Sequence, residues 1–244
     1  MVLLKIEGLC KNFGGLRAIH NVDFEVHAGE IVGLIGPNGS GKTTTMNLIT
    51  GFLKPSCGKI TFAGHDITGL PRPRVCRQGI ARTFQLIKPF LEFTALQNVM
   101  VGRIYGSRPA PNMKVAAVEA QAILETVGLG AKAQVQAKDL RLMERKRLEL
   151  GRALATRPKL LLLDELMAGL NHAEAEDAMG LVRQLRASGI TILIVEHIVK
   201  AIIGLSDRIV VLNMGEKIAE GLPQDIIHNP CVVDVYLGKD HAQC

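Results

Sequence analysis

Residues 36–43 are Gly36, Pro37, Asn38, Gly39, Ser40, Gly41, Lys42 and Thr43, a run that fits G-x-x-x-x-G-K-[ST]. Each residue type has a chemical reason. Glycines let the backbone curl until successive N–H groups face one anion, and the N-terminus of a following helix adds its partial positive charge. A lysine at position 42 reaches the β- and γ-phosphates, a hydroxyl at Thr43 ligates Mg2+, and Thr44 continues the cradle into the helix. The apolar stretch 31–35 before the loop reads as a strand, and 43–49 after it as a helix. Strand, glycine loop and helix in that order predict a nucleoside-triphosphate site.

A second constellation lies at Leu160-Leu161-Leu162-Leu163-Asp164-Glu165. Four aliphatic residues followed by two acids describe a buried strand that delivers carboxylates at its C-terminal end, where ligands of α/β sheets sit. Asp164 is the candidate Mg2+ holder, and Glu165 the candidate to take a proton from an attacking water.

The elements that position these residues follow an α/β pattern. Strands are expected at 3–7, 22–26, 31–35, 59–62, 160–163, 190–195 and 208–212. Continuous runs such as 190–195 predict strands covered on both faces, whereas the alternating Val22-Asp23-Phe24-Glu25-Val26 predicts a half-exposed antiparallel strand. The sheet is therefore expected to be mixed, with an antiparallel N-terminal part. Ala175, Met179, Val182 and Leu185 form one apolar helical stripe, ended by Gly189. Between about 86 and 156 strand signals fade, leaving helices at 95–101, 115–127 and 144–156 and a Gly/Pro-marked loop at 102–112. The domain reading is one α/β unit over 1–244, with its core at 1–85 and 157–244 and a helical subdomain at 86–156.

Composition narrows the class. The chain has 244 residues, 48% of them hydrophobic, which excludes a disordered chain. Mean hydropathy is positive at +0.22, yet no apolar run approaches the ~18–20 residues that span a bilayer. The five cysteines, Cys10, Cys57, Cys76, Cys231 and Cys244, are odd in number and carry no CxxC. That predicts neither a disulfide framework nor a zinc site and suits a reducing compartment. No signal-peptide pattern is read at residues 1–7. With 29 Lys and Arg against 23 Asp and Glu the net charge is +6, which permits nucleic acid, anionic lipid or an acidic partner without choosing among them.

Taken together, these motifs resemble the ATP-binding subunits of ABC transporters over essentially the whole chain. Arg82-Thr83-Phe84-Gln85 is similar to the family's Q-loop, Val195-Glu196-His197 to its H-loop, and Phe13 stands at its A-loop aromatic. Lys42 to Gln85 spans 43 residues and Asp164 to His197 spans 33, spacings like the family's. The resemblance implies a P-loop fold of the ABC ATPase type. It implies adenine stacking by Phe13, Mg2+ and water sensing by Gln85, and γ-phosphate contact by His197 beside Glu165 and Lys42. Longer phrases, among them NFGGLRAI, GPNGSGKTTTMNLITGFLKP and GIARTFQ, resemble the branched-chain amino-acid uptake subfamily, with urea and amide relatives close. The implied assembly is a second ABC ATPase subunit, two membrane permeases and an external substrate-binding protein. It would place this chain on the cytoplasmic face of the membrane, where the +6 charge suits an anionic leaflet.

One motif departs from the family. The usual L-S-G-G-Q signature, which caps the γ-phosphate bound on the opposite subunit, falls here on Leu140, Arg141, Leu142, Met143 and Glu144. Both glycines are lost, and only glycine lets a backbone approach a phosphate without a Cβ in the way. Two readings follow: a heterodimer whose partner carries an intact signature, or Arg141 acting as a substitute cation at two active sites. Asn171 stands where the family usually has Asp, which removes a charge after the second acid motif. The competing functions are a non-transport ABC ATPase acting on nucleic acid and a regulatory subunit that binds ATP with little hydrolysis. The basic runs 72–77 and 145–147 lack the interleaved aromatics that would favour the first.

Overall fold

A computed structural model describes residues 1–84, 88–196 and 198–237. The chain divides into two compact units, residues 1–75 with 167–244 and residues 76–166.

The first unit opens with two long strands, β1 (Val2–Phe13) and β2 (Leu16–His27), which pair antiparallel around a tight turn. Alternation places Leu4, Ile6, Val22, Phe24 and Val26 in the core while Lys5, Asp23 and Glu25 face outward. After β3 (Ile31–Ile35) and α1 (Lys42–Ile49), β4 (Cys57–Phe62) and the short β5 (His65–Asp66) complete an antiparallel sheet ordered β2-β1-β4-β5. Helix α2 (Arg72–Gln78) ends this stretch.

The second unit, which starts at residue 76, carries β6 (Ile80–Arg82), α3 (Ala95–Tyr105), α4 (Met113–Thr126), two short 3-10 turns and α5 (Leu142–Ala155). It closes with β7 (Leu160–Asp164), parallel to β6 and buried along its whole length. Its helices are gathered by Arg103, which is 1% exposed. The guanidinium pairs with Glu119 of α4 and donates to the carbonyls of Arg108 and Ala155. Helix α3 runs to Tyr105, past the loop expected from residue 102. Gly102 is a helix-packing glycine there, because a Cβ would lie 2.7 Å from the Ala155 Cβ.

The chain then returns to the first unit through α6 (His172–Ala187), β8 (Thr191–Val195), α7 (Val199–Leu205), β9 (Arg208–Asn213), β10 (Glu216–Gly221), α8 (Pro223–Ile227) and α9 (Pro230–Leu237). Strands β8, β3 and β9 pair in parallel, and β10 adds antiparallel to β9, so this sheet is mixed. An apolar cavity of about 310 Å³ lies in this unit, lined by Ile35, Ile202, Ile209, Ile226, Val232 and Tyr236 among others.

The cysteine expectation needs correcting. Cys10 and Cys57 face each other across β1 and β4, with Cα atoms 5.0 Å apart, and form a disulfide. Spacing alone does not foretell the pairing, because strand register brings together residues 47 apart in sequence. Reduction should lower the unfolding free energy by about 2–4 kcal/mol, a loop-closure effect. Denaturant unfolding with and without dithiothreitol checks it; Cys57→Ser should depend on reductant less than wild type does, by the share this bridge contributes.

Candidate functional site

The glycine loop joins β3 to α1 within the first unit, and its course is fixed by close packing. Gly36 has φ +149°, and a Cβ there would collide with the Leu212 carbonyl oxygen of β9. Gly41, at φ +105°, caps α1, and a Cβ would come within 3.0 Å of the Ala18 carbonyl oxygen of β2. Between them the loop is hydrogen-bonded into its surroundings. The Ser40 N–H donates to the Pro37 carbonyl at 3.2 Å, and the Ser40 carbonyl accepts from the Gly215 N–H at 3.1 Å. Gly215 in turn accepts from the His20 N–H at 2.8 Å, which ties β2 to the β9–β10 turn.

The side chains follow from that frame. Lys42 is buried, and its ammonium donates to the Gly36 and Pro37 carbonyls at 2.7 and 2.9 Å. Asn38 and Gly39 form the exposed tip of the loop, Thr43 is exposed and Thr44 half-buried in the first turn of α1. Phe13 ends β1 at the tip of the hairpin, 45% exposed, with the Lys11 ammonium 5.1 Å from its ring centroid. An exposed planar ring beside a cation suits stacking against a purine.

In the second unit, Asp164 ends β7 and is 7% exposed. The Arg82 guanidinium reaches its Oδ2 at 2.6 Å, and the Asp164 N–H donates to the Thr83 hydroxyl at 3.3 Å. Glu165 takes a left-handed backbone, φ +50°, a strained state for a residue with a Cβ and one that recurs at functional sites. Asp164 and Glu165 share a cavity of about 20 Å³ with Thr83, Phe84, Lys146 and Glu149. That volume suits one water molecule. Burial pushes the Glu149 carboxyl up, against the opposing pull of Arg152.

The altered signature starts α5. Leu140 is buried, Arg141 is the exposed N-cap residue, and Leu142 and Met143 open the helix. Both oxygens of Glu144 are engaged: one pairs with Lys132 and the other accepts the Arg141 N–H at 2.9 Å. The Lys132 contact and the Arg141 N–H hold this carboxyl below its usual value. Asn171 accepts from the Glu174 N–H, and Glu174 accepts from the Asn171 N–H, each at 3.0 Å, a capping box at the start of α6. Asn caps a helix as well as Asp does, so the substitution keeps that local structure. Gln85 and His197 lie outside the described residues.

Three contacts were not anticipated from sequence. Arg82 on Asp164 is one. The second is Glu196, 4% exposed, whose Oε1 accepts the Met167 N–H at 2.7 Å. The third is Tyr236 of α9: burial raises its phenol, and the Gly36 N–H donated to it opposes that rise. A charged residue directly after an apolar strand was the available signal for Glu196; Tyr236 gave none.

Comparison with known proteins agrees with this arrangement. Residues 19–168 match the family model described as ABC transporter, and residues 216–242 match that of the branched-chain amino acid ATP-binding cassette transporter. The chain is 42% identical to the high-affinity branched-chain amino acid transport ATP-binding protein LivG of Salmonella typhimurium, over 97% of this chain and 98% of that one. A nucleotide-free ATP-binding cassette from an ABC transporter superposes with TM-score 0.90 at 35% identity, covering 98% of this chain and 100% of that one. A cassette in its ADP conformation superposes with TM-score 0.89 at 35% identity and the same coverage. The glycine loop packed on β2 and β9, the acid-tipped buried strand and these full-length similarities have one explanation: the chain belongs to the ATP-binding subunits of ABC transporters, in the branched-chain amino-acid branch, and is an ATPase that powers transport.

Proposed function

We propose that this subunit drives import of branched-chain amino acids by binding ATP, closing against a second ATPase subunit and hydrolysing the nucleotide. The observation that carries the site assignment is the loop 36–43, whose backbone is packed into a fixed curl ahead of the N-terminus of α1. Phe13 stacks on the adenine, the N–H groups of Gly39 and of residues 41–44 surround the phosphates, and the Lys42 ammonium turns from its loop carbonyls to the β- and γ-phosphates. By their motif positions Thr43 and Asp164 would contribute a hydroxyl and a carboxylate, hard oxygen donors of the kind Mg2+ takes. The metal supplies charge neutralisation at the phosphate oxygens. Glu165, beside a cavity sized for one water, takes the proton of the attacking water; Gln85 and His197 complete the assignment from their motif positions.

The partners in this reading are a second ABC ATPase, two permeases and an external binding protein, with this chain peripheral on the cytoplasmic face. No helix among the described residues is long and apolar enough to cross a membrane. A nucleic-acid role has little support: the basic runs 72–77 and 145–147 contain no aromatic residue for base stacking.

An asymmetric heterodimer is favoured by Glu144. Its carboxylate, paired with Lys132, occupies the Arg141 N–H, so that donor is not offered to a partner's γ-phosphate. The partner's intact signature then completes the site built on this chain, and this chain's own signature forms the weaker site.

Three outcomes follow. Glu165→Gln should keep ATP affinity within a few-fold while hydrolysis falls at least about 100-fold, read by single-turnover phosphate release. Unchanged hydrolysis would remove Glu165 from the mechanism. Restoring L-S-G-G-Q at 140–144 should raise turnover at the partner's nucleotide and not at this chain's own; no gain there sinks the asymmetric reading. Glu144 has a folded pKa below its unfolded one, so its stabilisation is present at neutral pH and lost as pH falls through the folded value. Glu144→Ala should therefore be less stable than wild type by about 1 kcal/mol at neutral pH. In chemical denaturation that gap should close in acid.

A further inference from the structure

Asp164 already holds a cation partner within the protein. Strands β6 and β7 run parallel with Arg82 opposite Leu162, and the Thr83 N–H donates to the Leu162 carbonyl at 3.0 Å. That register carries the Arg82 side chain to the C-terminal end of β7, where Nη2 lies 2.6 Å from Asp164 Oδ2. Both side chains are buried, 5% and 7% exposed, and the guanidinium lies 5.3 Å from the Phe84 ring centroid. Of the charged groups that line the adjoining cavity beside Asp164 and Glu165, Glu149 pairs with Arg152 at 2.7 Å and Lys146 donates to the Leu166 carbonyl at 3.2 Å.

A buried carboxylate without a counter-charge is strongly unfavourable, and a guanidinium in good geometry neutralises it. Yet this is the carboxylate assigned above to Mg2+, and two cations on one carboxylate repel each other. We propose that Arg82 is an internal counter-cation for Asp164, standing in for Mg2+ in the metal-free protein and yielding when the metal arrives with the nucleotide. The inference rests on the reading of Asp164 as the metal-holding residue. Arg82 is then a positioning residue that sets how strongly nucleotide binding depends on Mg2+. It lets the acid end of β7 stay charged and folded without metal. It also weakens capture of free Mg2+ relative to Mg2+ carried by a triphosphate, because only the latter brings compensating negative charge.

The test measures affinity for a fluorescent ATP analogue, on the full chain, in Mg2+ and in EDTA. The quantity read is the ratio of the two affinities. Arg82→Gln removes the competing cation and should raise the ratio on the order of tenfold, one step of binding free energy. Arg82→Lys keeps the charge but loses the planar fork, and should raise it about threefold. Mg2+ alone should raise the melting temperature of nucleotide-free Arg82→Gln more than that of wild type. Asp164→Asn should bring the ratio close to one. A ratio within twofold of wild type in the Arg82 variants, with Asp164→Asn having lost its dependence, overturns the role of Arg82 and leaves Asp164 standing. An Asp164→Asn protein with wild-type dependence overturns both. Should Arg82→Gln not fold, Arg82→Lys decides by the same criterion.

Discussion

The backbone of the loop 36–41 has no room for side chains at two points, and much of the first unit is arranged around that fact. Gly36 lies against a carbonyl of β9, and Gly41 against the backbone of β2. A loop of this kind can aim its N–H groups at an anion only if its outer side is held, because unpaired buried backbone is unfavourable. The β9–β10 turn supplies that hold through Gly215, which serves the loop and β2 at once. The long β1–β2 hairpin is thereby more than a covering sheet. It presents Phe13 at its tip and braces Gly41 a few residues further along, at Ala18.

In the second unit the governing constraint is charge. Asp164, Glu149 and Arg103 are all nearly inaccessible to water, and each has an oppositely charged partner. Buried ions are tolerated when paired and hydrogen-bonded, and such pairs fix geometry more than they add stability. The pairing of Arg82 with Asp164 sets the orientation of the carboxylate at the end of β7. That of Arg103 with Glu119 fastens α3 to α4, while the same guanidinium's bond to the Ala155 carbonyl ties α3 to the C-terminal end of α5.

What could be read in advance follows from the range of the interactions. The glycine loop, the buried strands and the helix stripe of Met179, Val182 and Leu185 are local patterns, written within a few residues of each other. Gly102 was misread because a glycine signals a break on local grounds, whereas here it serves a contact with Ala155, which only the folded pair of helices reveals. The Cys10–Cys57 disulfide and the Arg82–Asp164 ion pair join residues far apart in sequence. They depend on strand register, which no local period encodes. Glu144 shows the opposite case: its position was visible, but its use as a helix cap depended on where α5 begins.

The anchoring of Ser40 through Gly215 also bears on what nucleotide entry requires of the loop. A loop whose carbonyl is tied to a neighbouring turn, and whose glycines touch two strands, has no hinge of its own. In the proposed site the adjustment left to it is local: the Lys42 side chain would exchange the Gly36 and Pro37 carbonyls for phosphate oxygens. A change of one side chain's hydrogen-bond partners is a smaller event than the refolding of a loop, which turns many backbone dihedrals at once. The loop proposed to hold phosphate thus has its backbone course set before a ligand arrives, and binding asks of it new side-chain partners rather than a new fold.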